Sequence, residues 1–271
     1  MSGVGPFIDI RRFSELDSTN RYLLDEARAG APAGLVAVAD HQTAGRGRLG
    51  RRWEAPPGSN LLVSVLLRPP LPVEQLHLCT MSMALAACSA CRRATGGGVE
   101  PMLKWPNDVI VGERKLAGIL AETIPETRAP GESASVAAPS ARAVIVGLGV
   151  NVDWPPPDTD ATAAVVPEDL GNATSLWRES GTRVALAALL DLVLAELGDW
   201  LDDLADADGR RRLASEYRRR CATLGRHVTV SLADETVTGT AADVTVEGHL
   251  LLETGACIRT ITAGDVVHLR L

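Results

Sequence analysis

The chain has 271 residues, and 27 Lys and Arg against 34 Asp and Glu give it a net charge of −7. This acidic balance disfavours a generic binder of nucleic acid or of another polyanion. At about 150 residues per domain, the length predicts one large domain or a large and a small one. A composition of 46% hydrophobic and 23% charged residues is typical of a soluble globular protein.

The sequence disfavours membrane insertion and secretion. No apolar run reaches the roughly 18 residues that a membrane-spanning helix needs, and residues 1–6 lack the basic and apolar stretches of a secretion signal. The five cysteines are odd in number and scattered, which predicts free thiols and a cytoplasmic location. Cys88 and Cys91 have the spacing of half a zinc site, but no second Cys or His pair matches them. No structural metal is therefore predicted.

The first half of the chain alternates predicted helices and strands. Ser18, Thr19 and Asn20 precede an apolar pattern that ends at Gly30, which predicts a capped amphipathic helix. The other patterned segments are predicted strands at 35–39, 61–67, 102–104, 109–111 and 116–123 and a predicted helix at 74–95. We therefore expect a sheet that carries the region around residues 104–118.

The second half begins with a segment rich in Pro, Gly, Ser and Ala at 125–142, which predicts a solvated insertion. A strand is predicted after it at 143–150. Two helices are predicted at 183–203 and 208–223, and their apolar faces are expected to cover the sheet.

From Gly225 onward the pattern changes to short alternating segments separated by Gly or Asp turns. Such a pattern predicts a small all-β barrel. The sequence therefore predicts two domains, 1–223 and 224–271, joined with almost no linker.

The segment from Gly45 to Trp53 packs four arginines among three glycines directly after a predicted strand. Its letters GRGRLG fit the dinucleotide fingerprint G-x-G-x-x-G, but Pro56 and Pro57 prevent the helix that this fingerprint must open. A phosphate loop is excluded because Gly50 is followed by two arginines. What remains is a loop that can approach an anionic ligand and clamp its oxygens, or an ordinary solvated basic loop.

Three further segments are unremarkable when taken one at a time. Lys104 to Asp108 is a turn between two predicted strands, and Lys115 to Gly118 begins the next strand. Gly147 to Asn151 ends a strand with glycines and an asparagine, which is either an ordinary strand end or a close approach of the backbone to a ligand.

In this order the four segments resemble those of biotin protein ligases, and the resemblance covers nearly the whole chain. It implies an α+β fold, in which a mixed β-sheet catalytic domain like that of class II aminoacyl-tRNA synthetases and lipoate ligases precedes a small SH3-like β-barrel. Larger members of the family begin with a helix-turn-helix, for which the residues before Ser18 leave no room. The resemblance therefore implies a monofunctional enzyme that does not bind DNA.

The chemistry that the resemblance implies is ATP-dependent. Biotin is activated as biotinyl-5'-AMP with release of pyrophosphate, and the biotin then passes to a lysine of a biotin carboxyl carrier protein, such as that of acetyl-CoA carboxylase. ATP and Mg²⁺ are expected as a substrate complex, with biotin as the second substrate and no structural metal. The implied protein is a monomer or weak homodimer with no membrane partner.

The resemblance also assigns site residues by position. Arg48 and Lys115 are the implied catalytic residues, because fixed cations stabilise the charge that develops when a carboxylate meets a triphosphate. Asp108 is a candidate ligand of the Mg²⁺ carried by ATP, a candidate base or a turn-capping residue, and Trp53 lines the ligand or is an ordinary core residue. The implied biotin-binding residues are Ser18, Thr19, Asn20, Gln42, Arg46, Gly47, Arg48, Lys115 and Gly118. The implied ATP- and adenylate-binding residues are Arg46, Arg48, Arg51, Trp53, Lys104, Asn107, Lys115 and Asn151.

Two other functions compete with this one. A lipoate or octanoyl ligase shares the implied fold, but its usual Arg-Arg followed by Ser-Gly-Gly is missing. A biotin-responsive regulator would need an element that reads DNA, and none is predicted before Ser18.

Overall fold

Two β-sheets and the helices that cover them form the part of the chain that the structure describes. A computed structural model describes residues 6, 7, 9–125, 141–157, 172–232, 234–255 and 257–268. The strands of the first sheet are β1 (Asp9–Leu16), β2 (Leu35–Gln42), β3 (Asn60–Leu67), β4 (Met102–Lys104), β5 (Asp108–Val111), β6 (Arg114–Pro125) and β7 (Ala141–Asn151). The helices are α1 (Thr19–Arg28), α2 (Leu78–Ala94), α3 (Leu176–Ser180), α4 (Leu186–Asp203) and α5 (Ala207–Arg220).

The first sheet is mixed. Its strands lie in the order β1-β2-β3-β7-β6-β5-β4. β1 and β2 are parallel, whereas all other neighbouring pairs are antiparallel. Alternation along β3 places Val63 and Val65 in the core shared with α2 and α4, and Leu66 in the core beneath α1. The sheet is therefore covered by helices on both faces.

A second sheet follows α5 and contains antiparallel strands in the order β11-β10-β9-β8-β12. Its strands are β8 (His227–Ser231), β9 (Thr236–Val244), β10 (Leu250–Thr254), β11 (Cys257–Ile261) and β12 (Asp265–His268). Trp105 joins it to the first sheet, since the indole Nε1 donates to Gly248 O at 3.0 Å and the backbone N donates to Thr223 Oγ1 at 3.1 Å. The small domain thus lies against the turn between β4 and β5.

The predicted fold class is confirmed, but two elements were not predicted. β1 is an edge strand whose residues are exposed or half-buried, so polar residues such as Arg11 and Arg12 hide its apolar alternation. α3 has five residues, which is too short for a helical period to show in the sequence. The predicted bounds of α2 were also too long, because Val73–Gln75 forms a separate 3-10 turn.

The insertion predicted at 125–142 differs from the structure at its ends. Pro125 pairs with Ala141 in the ladder between β6 and β7, so both residues belong to strands. Residues 126–140 lie outside the described residues. The boundary predicted at 223/224 falls between α5 and β8 and stays a prediction.

Candidate active site

A cavity of about 670 Å³ lies over the α1 face of the first sheet and collects side chains from all four sequence segments. The predicted site residues that line it are Ser18, Thr19, Asn20, Gln42, Arg46, Gly47, Arg48, Arg51, Trp53, Asn107, Asp108, Lys115, Gly118 and Asn151. The fold therefore brings together residues that are up to 133 positions apart in the chain (151 − 18).

Glycines of β6 and β7 form the floor of the cavity. A Cβ atom added at Gly149 would lie 2.5 Å from Trp53 Cε2, and one at Gly118 would lie 3.0 Å from Trp53 Cζ3. A Cβ atom at Gly147 would collide with Asn20 Oδ1. These strand positions need glycine because other side chains lie directly on the backbone, so the glycines of the 147–151 segment mark a close approach.

The N-terminus of α1 supplies a buried polar cluster. Ser18 caps the helix, and its side chain accepts from Arg21 N at 3.5 Å. Gln42 Oε1 accepts from Thr19 N at 2.8 Å, and Ser64 Oγ lies 2.7 Å from Thr19 Oγ1 and 2.6 Å from Asn20 Oδ1. Ser64 is fully buried in β3 and was missed, because one serine in an apolar strand carries no local signal.

Glu122 on β6 extends this cluster and was also missed. Its Oε2 atom accepts from Asn20 Nδ2 and from Arg46 Nη2, each at 2.8 Å. The contact links α1 to the loop rich in arginine and glycine. Sequence analysis could not find it, because Glu122 lies outside all four segments.

The loop from Gly45 to Trp53 is closed by backbone hydrogen bonds rather than opening a helix. Gly47 N donates to Arg51 O at 2.7 Å, and Trp53 N donates to Gly45 O at 3.0 Å. Within it, Arg48–Gly50 forms a 3-10 turn in which Leu49 has a φ of 56° and an exposed side chain. This geometry agrees with the rejection of the dinucleotide fingerprint.

The arginines of this loop reach both the first sheet and the small domain. Arg48 Nη1 donates to Asn107 Oδ1 and to Gly264 O, each at 3.1 Å. Burial lowers the pKa of Arg48. Arg51 forms an ion pair with Asp265, and this hydrogen-bonded carboxylate raises the pKa of Arg51. The small domain therefore contributes Asp265 to the cavity lining, which sequence analysis did not predict.

Lys115 lies beside Trp53 above Gly118 on the cavity floor. Its Nζ atom lies 2.6 Å from Asp108 Oδ1 and 5.6 Å from the centroid of the Trp53 ring. Its backbone is fixed on both sides, because Lys115 N donates to Asn172 O at 2.7 Å and Lys115 O accepts from Thr174 N at 2.8 Å. The side chain is 36% exposed, so the ammonium group can reach a ligand in the cavity.

Lys104 is the one predicted site residue that does not line the cavity. It lies on β4, and its charge contributes, after burial, to lowering the pKa of His268 in the small domain. Its predicted role in binding ATP stays a prediction. Trp154 and Ala173, which were not predicted, line the cavity instead.

The described residues do not fit a metal ion held by the protein. Among them, no group of three or more His, Cys, Asp or Glu side chains could hold one. The three carboxylates that line the cavity are already paired, Glu54 with Arg52, Asp108 with Lys115 and Asp265 with Arg51. Asp108 is placed as the partner of a lysine, and its role as a magnesium ligand stays a prediction.

The comparisons with known proteins assign the chain to a family. The model described as the biotin/lipoate A/B protein ligase family matches residues 13–136, and the one described as the biotin protein ligase C-terminal domain matches residues 223–269. A biotin–[acetyl-CoA-carboxylase] ligase of Mycobacterium tuberculosis is 36% identical over 263 residues, which are 95% of this chain and 88% of the relative. The chain belongs to the biotin protein ligase family.

Other members of the biotin protein ligase family agree with this assignment. The bifunctional ligase/repressor BirA of Bacillus subtilis is 30% identical over 252 residues, which are 93% of this chain and 71% of the relative. A biotin protein ligase of Aquifex aeolicus, solved in complex with biotin and ATP, has a TM-score of 0.77 at 27% identity and covers 98% of this chain and 100% of that one. None of the described helices is long and apolar enough to cross a membrane.

Proposed function

We propose that this chain is an ATP-dependent ligase that activates biotin as biotinyl-5'-AMP, releases pyrophosphate and transfers biotin to a lysine of a biotin carboxyl carrier protein. The carrier of acetyl-CoA carboxylase is the expected acceptor, as in the name of the M. tuberculosis relative. The observation that carries the proposal is one cavity in which a buried polar cluster lies beside five cationic side chains. Biotin offers both chemistries, a polar ring and a carboxylate tail.

The polar cluster suits the ring of biotin. A ureido group has N–H donors and a carbonyl acceptor, which need partners of the opposite kind when water is excluded. Thr19, Asn20 and Gln42 supply amide and hydroxyl groups that are already oriented, because Thr19 is hydrogen-bonded to Gln42 and Asn20 to Ser64. Little reorganisation is then needed when the ring binds.

The cations suit the activation step. A carboxylate that approaches a triphosphate is repelled unless positive charges screen both groups, and fixed cations are most effective where charge develops in the transition state. Arg48 and Lys115 are the catalytic residues of the proposal, with Arg46 and Arg51 beside them. In this structure Lys115 is paired with Asp108, and ligand phosphate or carboxylate oxygens would replace this partner. The carboxylates that pair with Arg46 and Arg51 would keep those arginines beside the ligand.

Magnesium enters this proposal as part of MgATP, since the described residues offer no three-ligand site for it. The loop from Gly45 to Trp53 is proposed to order over the adenylate, because a mixed anhydride that meets water is lost to hydrolysis.

The test is a biotinylation assay with a biotin carrier domain. The purified protein is incubated with biotin, MgATP and the carrier, and the carrier mass is measured alongside pyrophosphate. An increase of one biotinyl group is expected, and it should disappear without ATP, with EDTA, or with a carrier whose target lysine is replaced by arginine. Absence of biotin-dependent pyrophosphate release would overturn the proposal, and release dependent on lipoate or octanoate would assign the rival ligase activity.

The remaining expectations about partners are proposals with their own measurements. We infer that the chain does not bind DNA, which a gel-shift assay with biotin and ATP would test. A monomer or weak homodimer is expected in sedimentation velocity with and without ligands. The cytoplasmic location is supported by five free thiols, of which Cys257 is the exposed one.

A further inference from the structure

Glu122 is a partly buried carboxylate beside the cavity, with 24% of its side chain exposed. One of its oxygens accepts from Asn20 on α1 and from Arg46 on the arginine-rich loop, both at 2.8 Å. One donor belongs to a helix and the other to the loop that follows β2. A single carboxylate therefore links the ring end of the cavity to its cationic end.

The orientation of the Asn20 amide follows from counting donors and acceptors. Its Nδ2 donates to Leu120 O at 3.1 Å and to Glu122 Oε2 at 2.8 Å, which uses both N–H groups. Its Oδ1 lies 2.6 Å from the Ser64 hydroxyl. If the amide were turned over, Oδ1 would face two acceptors, an arrangement that leaves buried groups unpaired and is unfavourable.

This orientation decides what Asn20 can offer a ligand. Both of its donors are occupied by the protein, whereas Oδ1 keeps a lone pair after the contact with Ser64. Asn20 is 4% exposed, lines the cavity and has Oδ1 placed over Gly147 on the cavity floor. It therefore presents an acceptor, which suits a ureido N–H.

We propose that Glu122 is a positioning residue for the activation of biotin. It holds the Asn20 amide with its oxygen available to the ureido group, and it anchors Arg46 beside the carboxylate of the same ligand. Ser64 supports the first role from the other side of the amide. The proposal rests on the proposed function, because it assumes that the ligand is biotin.

Two substitutions separate the charge of Glu122 from its hydrogen bonds. In Glu122→Gln the side-chain oxygen can still accept from Asn20 and Arg46, but the negative charge is lost. In Glu122→Ala both acceptors are lost, and Glu122→Met keeps the volume without an acceptor if the alanine variant fails to fold. The dissociation constant for biotin should increase about 10-fold or more in the alanine or methionine variant and much less in Glu122→Gln.

A double-mutant cycle tests whether Glu122 acts through Asn20. Biotin binding is measured by calorimetry without ATP for Glu122→Ala, Asn20→Ala and the double variant, so the readout does not depend on turnover. We expect the effect of Glu122→Ala on biotin binding to become smaller in the Asn20→Ala background, where only the part that acts through Arg46 remains. Glu196→Ala is the matched control, because it removes another Arg–Glu pair, with Arg93 at 2.6 Å on the far side of the sheet, and should leave binding unchanged.

The outcomes are distinguishable from failure of the proposed function. If the wild-type protein does not bind biotin, the proposed function is wrong. If it binds biotin and Glu122→Ala binds equally well, or if the loss is the same with and without Asn20, the positioning role of Glu122 is wrong and the proposed function stands.

Discussion

Lys115 has a backbone that is fixed by hydrogen bonds and an ammonium group that a ligand in the cavity can contact. Lys115→Ala removes the ammonium group while its backbone contacts to Asn172 and Thr174 remain. We expect biotin-dependent pyrophosphate release to lose about 2–4 kcal/mol of transition-state stabilisation, because a charge-assisted contact to a developing anion disappears. Single-turnover pyrophosphate measurements and a melting curve separate this loss from unfolding.

The matched control for Lys115 is Arg28→Ala, which removes an exposed ion pair with Asp25 at 2.7 Å on the surface of α1. It should leave pyrophosphate release unchanged. Unchanged release in Lys115→Ala would instead contradict the catalytic assignment.

Arg48→Ala should reduce the activation step by a similar amount. It should also lower the melting temperature slightly, because Arg48 is partly buried and bonds to Asn107 and Gly264. Stopped-flow measurement of pyrophosphate, compared with thermal unfolding of the same sample, checks both effects. Full activity in a folded Arg48→Ala variant would remove Arg48 from the catalytic residues.

Because His77 is largely buried, its titration should make the free energy of unfolding depend on pH. Burial, followed by the neighbouring charge of His249, lowers the pKa of His77 to about 4, below the ordinary value of 6.5. The unfolded chain then binds more protons than the folded one between pH 4 and 6.5, so the free energy of unfolding decreases as the pH falls through this window. The contribution of His77 to this slope is at most about 1.4 kcal/mol per pH unit.

The test compares the wild type with His77→Gln in urea titrations from pH 4 to pH 8. The variant should show a shallower decrease in stability below pH 6.5, and the two proteins should have parallel profiles above it, where the histidine is neutral in both states. Parallel profiles over the whole range would show that His77 titrates normally.

At the scale of elements, β7 carries glycine at position 149 because the indole ring of Trp53 lies directly on the strand there. A methyl group at position 149 would lie 2.5 Å from Trp53, so Gly149→Ala should displace the tryptophan and reduce the room for a ligand. We expect biotin-dependent pyrophosphate release to decrease at least about 10-fold with a small change in melting temperature. Gly255→Ala is the control, since a Cβ atom there meets no atom within 4 Å.

The arginine-rich loop is also an element whose structure depends on its neighbours. Its own hydrogen bonds close it, but Arg48 and Arg51 are held by Gly264 and Asp265, which lie at the start of β12. The loop therefore positions its cations with help from the small domain.

At the scale of the whole molecule, these contacts support the hypothesis that the small domain assists ATP use and transfer to the carrier while biotin is held by the first 152 residues. A chain that ends at Ala222 loses Asp265 and Gly264, so it should still bind biotin but biotinylate the carrier poorly. Calorimetry with biotin and the carrier mass assay measure the two activities separately. Transfer at the full rate would reduce the small domain to a stabilising role.

Truncation also uncovers Trp105, whose backbone and indole bond to Thr223 and Gly248. Loss of folding is therefore a competing explanation for loss of activity. Asp265→Asn in the full chain keeps these contacts and removes the charge that pairs with Arg51. It should slow adenylate formation while the melting temperature stays close to that of the wild type.

The sequence by itself determined the family, the mixed fold and most cavity residues. Four short segments in a fixed order were enough, because the turn and glycine chemistry of each is local. Strong apolar runs such as 35–39 and 61–67 also predicted strands that the structure confirms as β2 and β3. The edge strand β1 and the short α3 lacked such a period and were missed.

Tertiary structure alone decided which groups meet. Glu122 contacts Asn20 across 102 positions of the chain, and Asp265 contacts Arg51 across 214. Neither pairing leaves a local pattern, because a side chain's partner depends on strand order and on how the small domain packs. The same packing placed Lys104 outside the cavity and brought Ser64, from the middle of an apolar strand, against Thr19 and Asn20. The local sequence therefore indicates which residues can bind anions. The long-range packing determines which other residues hold those side chains in place.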